Sequence, residues 1–539
     1  MTGDGNSSSL PAARLKGRPK AGLRIPDLLW RGSPGRRAAG LAAFAATLAL
    51  AALNQHAPYN ITPGVLAHAL AASAPLLAAA VAALAVLAPW SGFLAVLLLV
   101  PYWDAAQVAW QVGPVQILLQ TVFVLALGTG TLLRLRGGEG GGDWRGRLRP
   151  WRPTLAVVLG LLGLVSLSTL ASPDRTTSVN VMLHGIVEPI AFGALLVVQR
   201  PDRRRLALVG LVLGVSVGLG GLINLVQTIP DVGSLAALQA ERLLFARLTY
   251  FNVGLFGEML AMAVPLLIGA VALRSWLRPA GLTTAAALVA LAISGLCLYL
   301  TFSKSAWLAT AGGVIVLAVL LAHTWHRRIA VVLLAVFVSG MVVPWPAAVL
   351  GVVSPRAAAA YRDVMISLVG SSRYNSWDPA TLAGRGSLLE RLWATEAAVR
   401  MAIDHPLLGI GLDRFKAEYV GGYRPPQAHL ALDSAHSFWP EIAAELGLPA
   451  LGLVIVLFAM AVLAAWRTYR SPPDEATRRL AAALLAALVA WLIVASTFAG
   501  DMYRPWRNMA SDFVMMSVLT AAALALPRVA GRRVGPEPS

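Results

Sequence analysis

Charged residues are scarce in this chain. Only 13% of its 539 residues are charged, 57% are hydrophobic, and the mean hydropathy is +0.69. Such a composition excludes an ordinary soluble globular protein. Apolar runs of about 20 residues, the length that crosses a bilayer as a helix, recur from end to end. The short segments of alternating hydrophobicity that mark a transmembrane barrel are not seen. The composition therefore predicts an all-α integral membrane protein.

Cysteine and lysine are also rare. The single cysteine, Cys297, excludes an intramolecular disulfide framework. The 44 Lys and Arg residues give a net charge of +18, but they lie in short clusters between the apolar runs and form no single basic face. We therefore expect the lipid bilayer, and no nucleic acid, as a partner, and we interpret the basic clusters as topology signals.

The apolar runs predict about fourteen transmembrane helices. The third is the weakest, because Pro101 and Asp104 fall inside it, and a re-entrant or interfacial segment is the alternative there. The predicted spans are 38–54, 65–88, 91–110, 112–133, 153–171, 181–198, 206–228, 252–273, 282–301, 304–322, 329–350, 447–466, 477–498 and 510–527.

Loop charge supports this count and predicts the orientation. Short cytoplasmic loops collect Lys and Arg, and "RPDRRR" and "RSWLRP" alternate with nearly uncharged loops such as "NQHAPYNITPG". Both termini are therefore predicted to be cytoplasmic. The expected organisation is a disordered basic tail at 1–37, helices 1–11 at 38–350, an external loop at 351–446, helices 12–14 at 447–527, and a second tail at 528–539.

The segment 351–446 is far longer than the other connections, and function often resides in such loops. Apolar residues recur at helical spacing from Leu388 to Met401, and the pattern stops at Pro406, Gly409 and Gly411. The sequence predicts a folded, partly helical subdomain on the external face.

His436 is the candidate for chemistry in this loop. It lies beside Asp433 and just before Glu441 and Glu445, and a carboxylate could raise its basicity for a role as general base. A hydrogen-bonding role without catalysis is the alternative. No set of ligands with familiar metal spacing accompanies it, so we expect no metal site.

Cationic residues are predicted on the same membrane face. Arg242 and Arg247 precede the eighth span, and Lys304 lies in the turn between the ninth and tenth. Such residues often anchor a helix at the membrane surface. Lys304 sits in a very short turn, however, and guanidinium and ammonium groups that converge on one pocket suit a pyrophosphate.

Three motifs follow one another over about residues 240–466. The turn "TFSKSAWLA" is similar to a Thr-x-Ser-Arg-small-small pattern. The stretch "RLWATEAAVRMAIDHPLLGIGLDRF" is close to Arg-x-x-Trp followed by His-Pro-Leu-x-Gly-x-Gly-x-x-x-Phe, and "AHSFWPEIAAELGLPALGL" resembles a run that begins His-Asn and ends Glu-x-Gly-x-x-Gly. In this order they resemble the O-antigen ligase and O-antigen polymerase superfamily of bacterial envelope enzymes.

The resemblance implies a glycosyltransferase of the bacterial inner membrane that uses neither metal nor cofactor. It would move a glycan from undecaprenyl pyrophosphate to a hydroxyl of a glycan, lipid or protein acceptor. His436 would be the base, supported by Asp433 or Glu445. The donor pyrophosphate would be bound by the cationic set, which is Arg247, Lys304, Arg385 and Arg391, with Arg242 in support.

Two positions depart from the family pattern. Lys304 stands where an Arg is expected, which keeps the charge and loses the bidentate fork. Ser437 stands where Asn is common.

Other classes stay open. Fourteen spans would suit a transporter or flippase, but the sequence shows no internal repeat. The residues nearest to an intramembrane ion pair are His184 and Glu188 of "HGIVEPI". A non-catalytic scaffold is the third possibility. Within the enzyme class, the motifs do not separate a ligase from a polymerase.

Overall fold

The computed structural model describes residues 34–53, 65–99, 109–112, 115–136, 149–228, 253–277, 279–301, 303–322, 388–426, 428, 430–497 and 510–530. Within these ranges the chain is almost entirely helical. One two-stranded antiparallel hairpin is the exception to the predicted all-α class.

The first half of the described chain contains ten helices and the hairpin. In chain order these elements are α1 Pro34–Leu53, α2 Val65–Leu87, α3 Pro89–Leu98, β1 Ala109–Val112, β2 Val115–Leu118, α4 Leu119–Arg136, α5 Arg152–Ala171, α6 Arg175–Val198, α7 Arg203–Thr228, α8 Val253–Ala272, α9 Ala280–Leu300 and α10 Lys304–Leu321.

The second half contains six helices. They are α11 Leu388–Asp404, α12 Phe415–Glu418, α13 Phe438–Leu446, α14 Leu448–Arg470, α15 Glu475–Ser496 and α16 Ala510–Ala530. A π turn, Tyr419–Tyr423, extends α12. We call residues 388–446 the cap.

Among the described residues, seven helices are long and apolar enough to cross a membrane: Arg149–Ala171, Arg175–Val198, Arg203–Leu225, Ala280–Leu300, Leu448–Arg470, Glu475–Ser496 and Phe513–Ala530. Four apolar stretches are shorter, namely Leu76–Leu87, Pro89–Leu98, Phe256–Ala272 and Ser305–Leu321. A multi-pass membrane protein is therefore confirmed, whereas fourteen crossings stay a prediction. The predicted span 329–350 and most of the tail 1–37 lie outside the described residues, and α16 continues three residues into the predicted C-terminal tail.

The prediction of one helix over 91–110 is wrong. Helix α3 has ten residues, about 15 Å of rise, whereas the hydrocarbon core is about 30 Å thick. By Ala109 the chain is a strand, and β1 pairs with β2 in the register Trp110 with Ile117. The predicted span 112–133 consequently becomes a helix only at Leu119. The β-branched residues Val112, Val115 and Ile117 favour strand over helix at this point.

Small residues let the helices of the bundle approach closely, as is common in membranes. A Cβ on Gly214 would meet the Leu267 side chain at 2.6 Å, and one on Gly218 would meet Ala290 at 2.8 Å, so α7 packs on both α8 and α9. A Cβ on Gly257 would meet the Ala306 side chain at 2.7 Å. This last contact places the start of α8 against the first turn of α10.

Candidate functional site

His436 lies at the point where the cap enters α13. Its backbone has φ +52°, the left-handed region, where His is more common than most non-glycine residues. The Thr395 hydroxyl of α11 donates to the buried carbonyl of Ala435 at 2.8 Å, and the His436 N–H donates to the Ser434 hydroxyl at 3.3 Å. The backbone on both sides of the partly buried imidazole is therefore fixed by hydrogen bonds.

An aromatic cluster anchors α13 directly after His436. Phe438 meets Trp491 of α15 edge to face at 5.1 Å, and Trp491 stacks on Phe458 of α14 at 4.4 Å. Trp439 donates its indole N–H to the Ser496 hydroxyl at 2.9 Å. Each such aromatic pair contributes about 0.5–1.5 kcal/mol beyond the area that it buries. The position of His436 is thereby tied to two membrane helices.

Glu445 holds the turn that leads into α12. Its side chain is buried, with 1% exposure. Its two carboxylate oxygens accept the backbone N–H groups of Asp413 at 3.0 Å and Phe415 at 3.1 Å. These contacts give Glu445 a structural role, and support of His436 by Glu445 stays a prediction.

The glycine motif of the cap pairs with the end of α13. Ile410 N–H donates to the Ala444 carbonyl at 2.8 Å, and Gly411 N–H donates to the Glu445 carbonyl at 3.1 Å. Gly409 has φ +67°, and its missing side chain leaves room for the backbone of Glu445. The second and third sequence motifs thus form one interlocked unit.

Two serines join this unit to the bundle. Ser168 of α5 donates to the Glu445 carbonyl at 3.0 Å, and Ser178 of α6 donates to the Leu412 carbonyl at 2.9 Å. The cap is therefore fixed to α5 and α6 as well as to α14 and α15.

Replacing Glu445 with Gln should loosen the turn at 413–415. A Gln side chain offers one acceptor oxygen, and its amide nitrogen would face a backbone N–H donor. Hydrogen bonds to charged groups contribute about 1.5–3 kcal/mol each, so we expect faster amide hydrogen exchange at Asp413 and Phe415 together with a lower melting temperature. Glu418→Gln is the control, because Glu418 forms a partly exposed pair with Arg414 that is worth about 1 kcal/mol at most. Equal exchange in the two variants would contradict this role.

Two other acidic side chains of the cap, those of the candidate Asp433 and of Glu390, also have defined partners. Asp433 forms an ion pair with Lys416, with 2.6 Å between the charged atoms. Glu390 is buried and accepts the Leu430 N–H at 3.3 Å, which holds the segment before His436 along α11. Arg391 is partly buried and lies one helical turn before Thr395, so both project toward the same side of α11.

The tyrosines of the cap are poor bases. Burial, with a hydrogen bond from the Tyr423 hydroxyl to Asp404, raises the pKa of Tyr423 to about 12. Burial, with the charge of Glu390, raises the pKa of Tyr419 above its ordinary value. Both phenols therefore stay protonated at neutral pH.

The structure describes only part of the predicted cationic set. Lys304 begins α10, and the Ser303 hydroxyl caps that helix by accepting the Ala306 N–H at 3.4 Å. A helix N-terminus favours an anion nearby, which suits the predicted phosphate site. The side chain of Lys304 and all of Arg242, Arg247 and Arg385 lie outside the described residues.

An apolar cavity of about 210 Å³ is lined in part by Phe438, two residues after His436. It lies between α5, α6, α13, α14 and α16, and Trp151 and Leu524 also line it. Its lining is almost wholly aliphatic and aromatic, as a site for a lipid chain would be.

These features define a class of protein: a multi-pass helical membrane protein whose cap fixes a histidine two residues before an aromatic side chain that lines an apolar cavity. The sequence model of the O-antigen ligase family matches residues 287–455. Over this segment the resemblance inferred from the three motifs is confirmed. The match contains Lys304, Arg385, Arg391, Asp433, His436 and Glu445, whereas Arg242 and Arg247 precede it. No curated protein matches the chain.

Proposed function

We propose that this protein is a glycosyltransferase of surface polysaccharide assembly. It would move a glycan from undecaprenyl pyrophosphate to an acceptor hydroxyl on the periplasmic face of the bacterial inner membrane. One observation carries the proposal: the histidine that the structure fixes where the cap meets the bundle lies within the O-antigen ligase match.

In the proposed mechanism His436 is the general base. Its imidazole takes the proton of the acceptor hydroxyl as the acceptor oxygen bonds to the anomeric carbon. The bond from that carbon to the phosphate oxygen breaks, and undecaprenyl pyrophosphate leaves with the electron pair. A positioned base of this kind contributes about 10²–10⁴-fold to a rate. The reaction as proposed needs no metal and no cofactor.

The leaving pyrophosphate would be stabilised by positive charge. We assign this task to the cationic set together with the N-terminus of α10, where Lys304 starts the helix. Fixed positive groups stabilise charge that develops on a leaving phosphate more strongly in a partly dry site than in water. Arg391 supports the assignment, because it lies on α11 one turn from the threonine that holds the His436 loop.

The polyprenyl chain of the donor would occupy the apolar cavity. Phe438, two residues after the proposed base, lines the cavity together with residues of α5, α6, α14 and α16. A donor bound in this way would have its lipid in hydrocarbon and its pyrophosphate at the edge of the cap. In this arrangement the proposed base would lie at the edge of the cap, close to the leaving group.

The first experiment uses the protein in nanodiscs with an undecaprenyl-pyrophosphate oligosaccharide as the sole substrate. A ladder of longer lipid-linked glycans would identify a polymerase. Release of undecaprenyl pyrophosphate only after a different acceptor is added would identify a ligase. No ladder and no release with any acceptor would overturn the proposal in favour of a transporter or flippase.

Neutralising Lys304 should weaken donor binding. Loss of one charged hydrogen bond costs about 1.5–3 kcal/mol, so we expect Lys304→Gln to raise the KM for the lipid-linked donor about tenfold or more, and Lys304→Arg to restore it. Lys416→Gln is the matched control, since Lys416 pairs with Asp433 in the cap. Steady-state kinetics with varied donor checks this, and an unchanged KM in Lys304→Gln would remove Lys304 from the proposed site.

A further inference from the structure

Two large apolar side chains of the cap are exposed close together in the chain. Ile403 lies in the last turn of α11 and is 55% exposed, and Leu407 lies in the turn that follows and is 70% exposed. The His405 N–H donates to the Met401 carbonyl at 2.9 Å, and the Gly409 N–H donates to the His405 carbonyl at 3.1 Å, so helical hydrogen bonding continues through this turn. Residues four apart in such a segment share one face. We call Ile403 and Leu407 the apolar ridge.

Backbone contacts tie the ridge to the first residue of a membrane helix. The Leu448 N–H, at the start of α14, donates to the Pro406 carbonyl at 2.8 Å. Gly447 lies so close to the Leu407 backbone that a Cβ on Gly447 would be 2.4 Å from the Leu407 carbonyl oxygen. Leu448 is itself 49% exposed and so lies on the outside of the bundle. The ridge is therefore at the same level as the start of α14.

The length of α14 indicates where the hydrocarbon of the bilayer ends on this side. Arg467 and Arg470 lie at the other end of the helix, so its uncharged part is 448–466. At about 1.5 Å per residue this part rises about 28 Å, which is slightly less than the roughly 30 Å of a hydrocarbon core. The whole uncharged part is needed to cross the core. The hydrocarbon boundary consequently falls at or just beyond Leu448, which is the level of the ridge.

Helix α5 gives the same boundary independently. Its uncharged part begins after Arg152 and ends at Ala171, three residues before Asp174, and it also rises about 28 Å. Ser172, directly after α5, lies against the glycine motif of the cap, because a Cβ on Gly411 would be 3.0 Å from the Ser172 Cβ. Two membrane helices thus place the turn after α11 at the membrane surface.

A lipid leaflet suits the ridge better than a protein partner. The ridge adjoins the exposed apolar side chains of α14, among them Leu448, Ile455 and Val456, and such side chains of a membrane helix face lipid. A stable protein interface buries about 800 Å² on each partner, far more than two side chains offer. Lipid contact needs no such area, because it continues the surface that α14 already presents.

Polar groups border the ridge, as they do in helices that lie in a membrane interface. Asp404 accepts a hydrogen bond from the Tyr423 hydroxyl at 2.8 Å, and Arg400 pairs with Glu396 at 2.7 Å while half of the Arg400 side chain is exposed. Tyrosine and arginine both extend a polar end from an apolar body toward the headgroup level. An apolar ridge with this border fits the boundary between hydrocarbon and water.

We propose that the apolar ridge inserts into the lipid leaflet on the cap's side of the membrane and contacts the acyl chains there. Insertion fixes the height of the end of α11 relative to the bilayer. Thr395 of the same helix donates to the Ala435 carbonyl beside His436 at 2.8 Å. The bilayer itself thereby helps to set the height of the His436 loop. This inference concerns lipid contact alone and does not depend on glycan transfer.

Spin labels on the full-length protein in nanodiscs test the insertion. Cys297→Ala removes the one native cysteine, and single labels are then attached to Ile403→Cys and Leu407→Cys. Ile455→Cys, in the middle of α14, is the lipid reference. Ala417→Cys, exposed on α12 between Lys416 and Glu418, is the water reference. Collisions with oxygen, which concentrates in hydrocarbon, are compared with collisions with a water-soluble nickel chelate.

Both ridge labels should give a ratio of oxygen to nickel accessibility close to that of Ile455→Cys and several-fold above that of Ala417→Cys. A ratio like that of Ala417→Cys at either ridge position would overturn the proposal. Low accessibility to both reagents would also overturn it, because protein would then cover the ridge.

A second measurement leaves the ridge native, since a spin label can insert on its own. With methyl-labelled isoleucine, the Ile403 δ1 methyl, identified by the signal that Ile403→Val removes, should show nuclear Overhauser contacts to the lipid acyl chains. Contacts of this methyl to water and none to lipid would make the proposal wrong, whatever the labels report.

Discussion

Replacing His436 with asparagine should strongly slow glycan transfer while leaving the cap folded. Asparagine is the better replacement than alanine, because position 436 has φ +52° and asparagine tolerates this backbone conformation well. The Thr395 hydroxyl donates to the backbone carbonyl of Ala435, so this hydrogen bond is retained in the variant. We expect the turnover number to fall about 10²–10⁴-fold, the usual contribution of a general base. Turnover with the lipid-linked donor and the best acceptor is the measurement.

The control for this experiment is the exposed histidine at the end of α11. His405→Asn changes the same residue type in the same cap. The His405 carbonyl accepts the Gly409 backbone N–H, and this backbone bond is kept in the variant. Its turnover should stay within about twofold of wild type. Equal turnover in wild type and His436→Asn, with donor binding intact, would exclude a base at this position.

Hydrophobic runs predicted the seven helices that are long and apolar enough to cross a membrane in the described part of the chain. The predicted span 282–301 is observed at Ala280–Leu300, and 477–498 at Glu475–Ser496. Length and composition decide such helices because every backbone group must be paired inside the hydrocarbon. The same criteria failed at 91–110. Pro101 and Asp104 had already made this the weakest predicted span, and β-branched residues near its end favoured a strand.

The candidate site was harder to predict, because its parts meet only in the fold. His436 and Glu445 are close in sequence, which suggested a base with its supporting carboxylate. The structure shows that Glu445 accepts two backbone N–H groups from the turn before α12. Thr395 fixes the backbone beside His436, but nothing in the sequence indicated this role except its position one helical turn after Arg391. Long-range contacts of this kind leave no local pattern.

The spacing of His184 and Glu188 was informative, although the sequence could not show its environment. Residues four apart on a helix share a face, and the two side chains do meet. The partner residues on α4 were not foreseeable, because Gln120 and Thr121 are 64 and 67 residues away in sequence. Pro189 was the one local sign of the π turn that α6 forms at Met182–Val187.

Gly409→Ala should separate the glycine motif of the cap, Gly409–Gly411, from the end of α13. A Cβ at this position would lie 2.3 Å from the Glu445 carbonyl carbon and 2.5 Å from the Ala444 carbonyl oxygen. These atoms are backbone and cannot rotate away. The left-handed conformation, φ +67°, adds about 1–2 kcal/mol for an alanine, and overpacking adds about 1–3 kcal/mol. We expect the cap to lose roughly 3 kcal/mol of stability, measured by amide hydrogen exchange at Ile410 and Gly411.

Turnover should fall together with the stability of the cap. The C-terminal end of α13 contacts the glycine motif, and His436 lies just before the N-terminal end of the same helix. A displacement of about 1 Å at a catalytic group can cost about 10²-fold in rate. Gly421→Ala is the matched control: it lies in the same cap, and no atom lies within 4 Å of its added Cβ. We expect that variant to retain wild-type exchange and turnover. If Gly409→Ala exchanged no faster than Gly421→Ala and kept full turnover, the interlocked glycine motif would have no part in positioning the base, and the proposed coupling between cap and active site would be wrong.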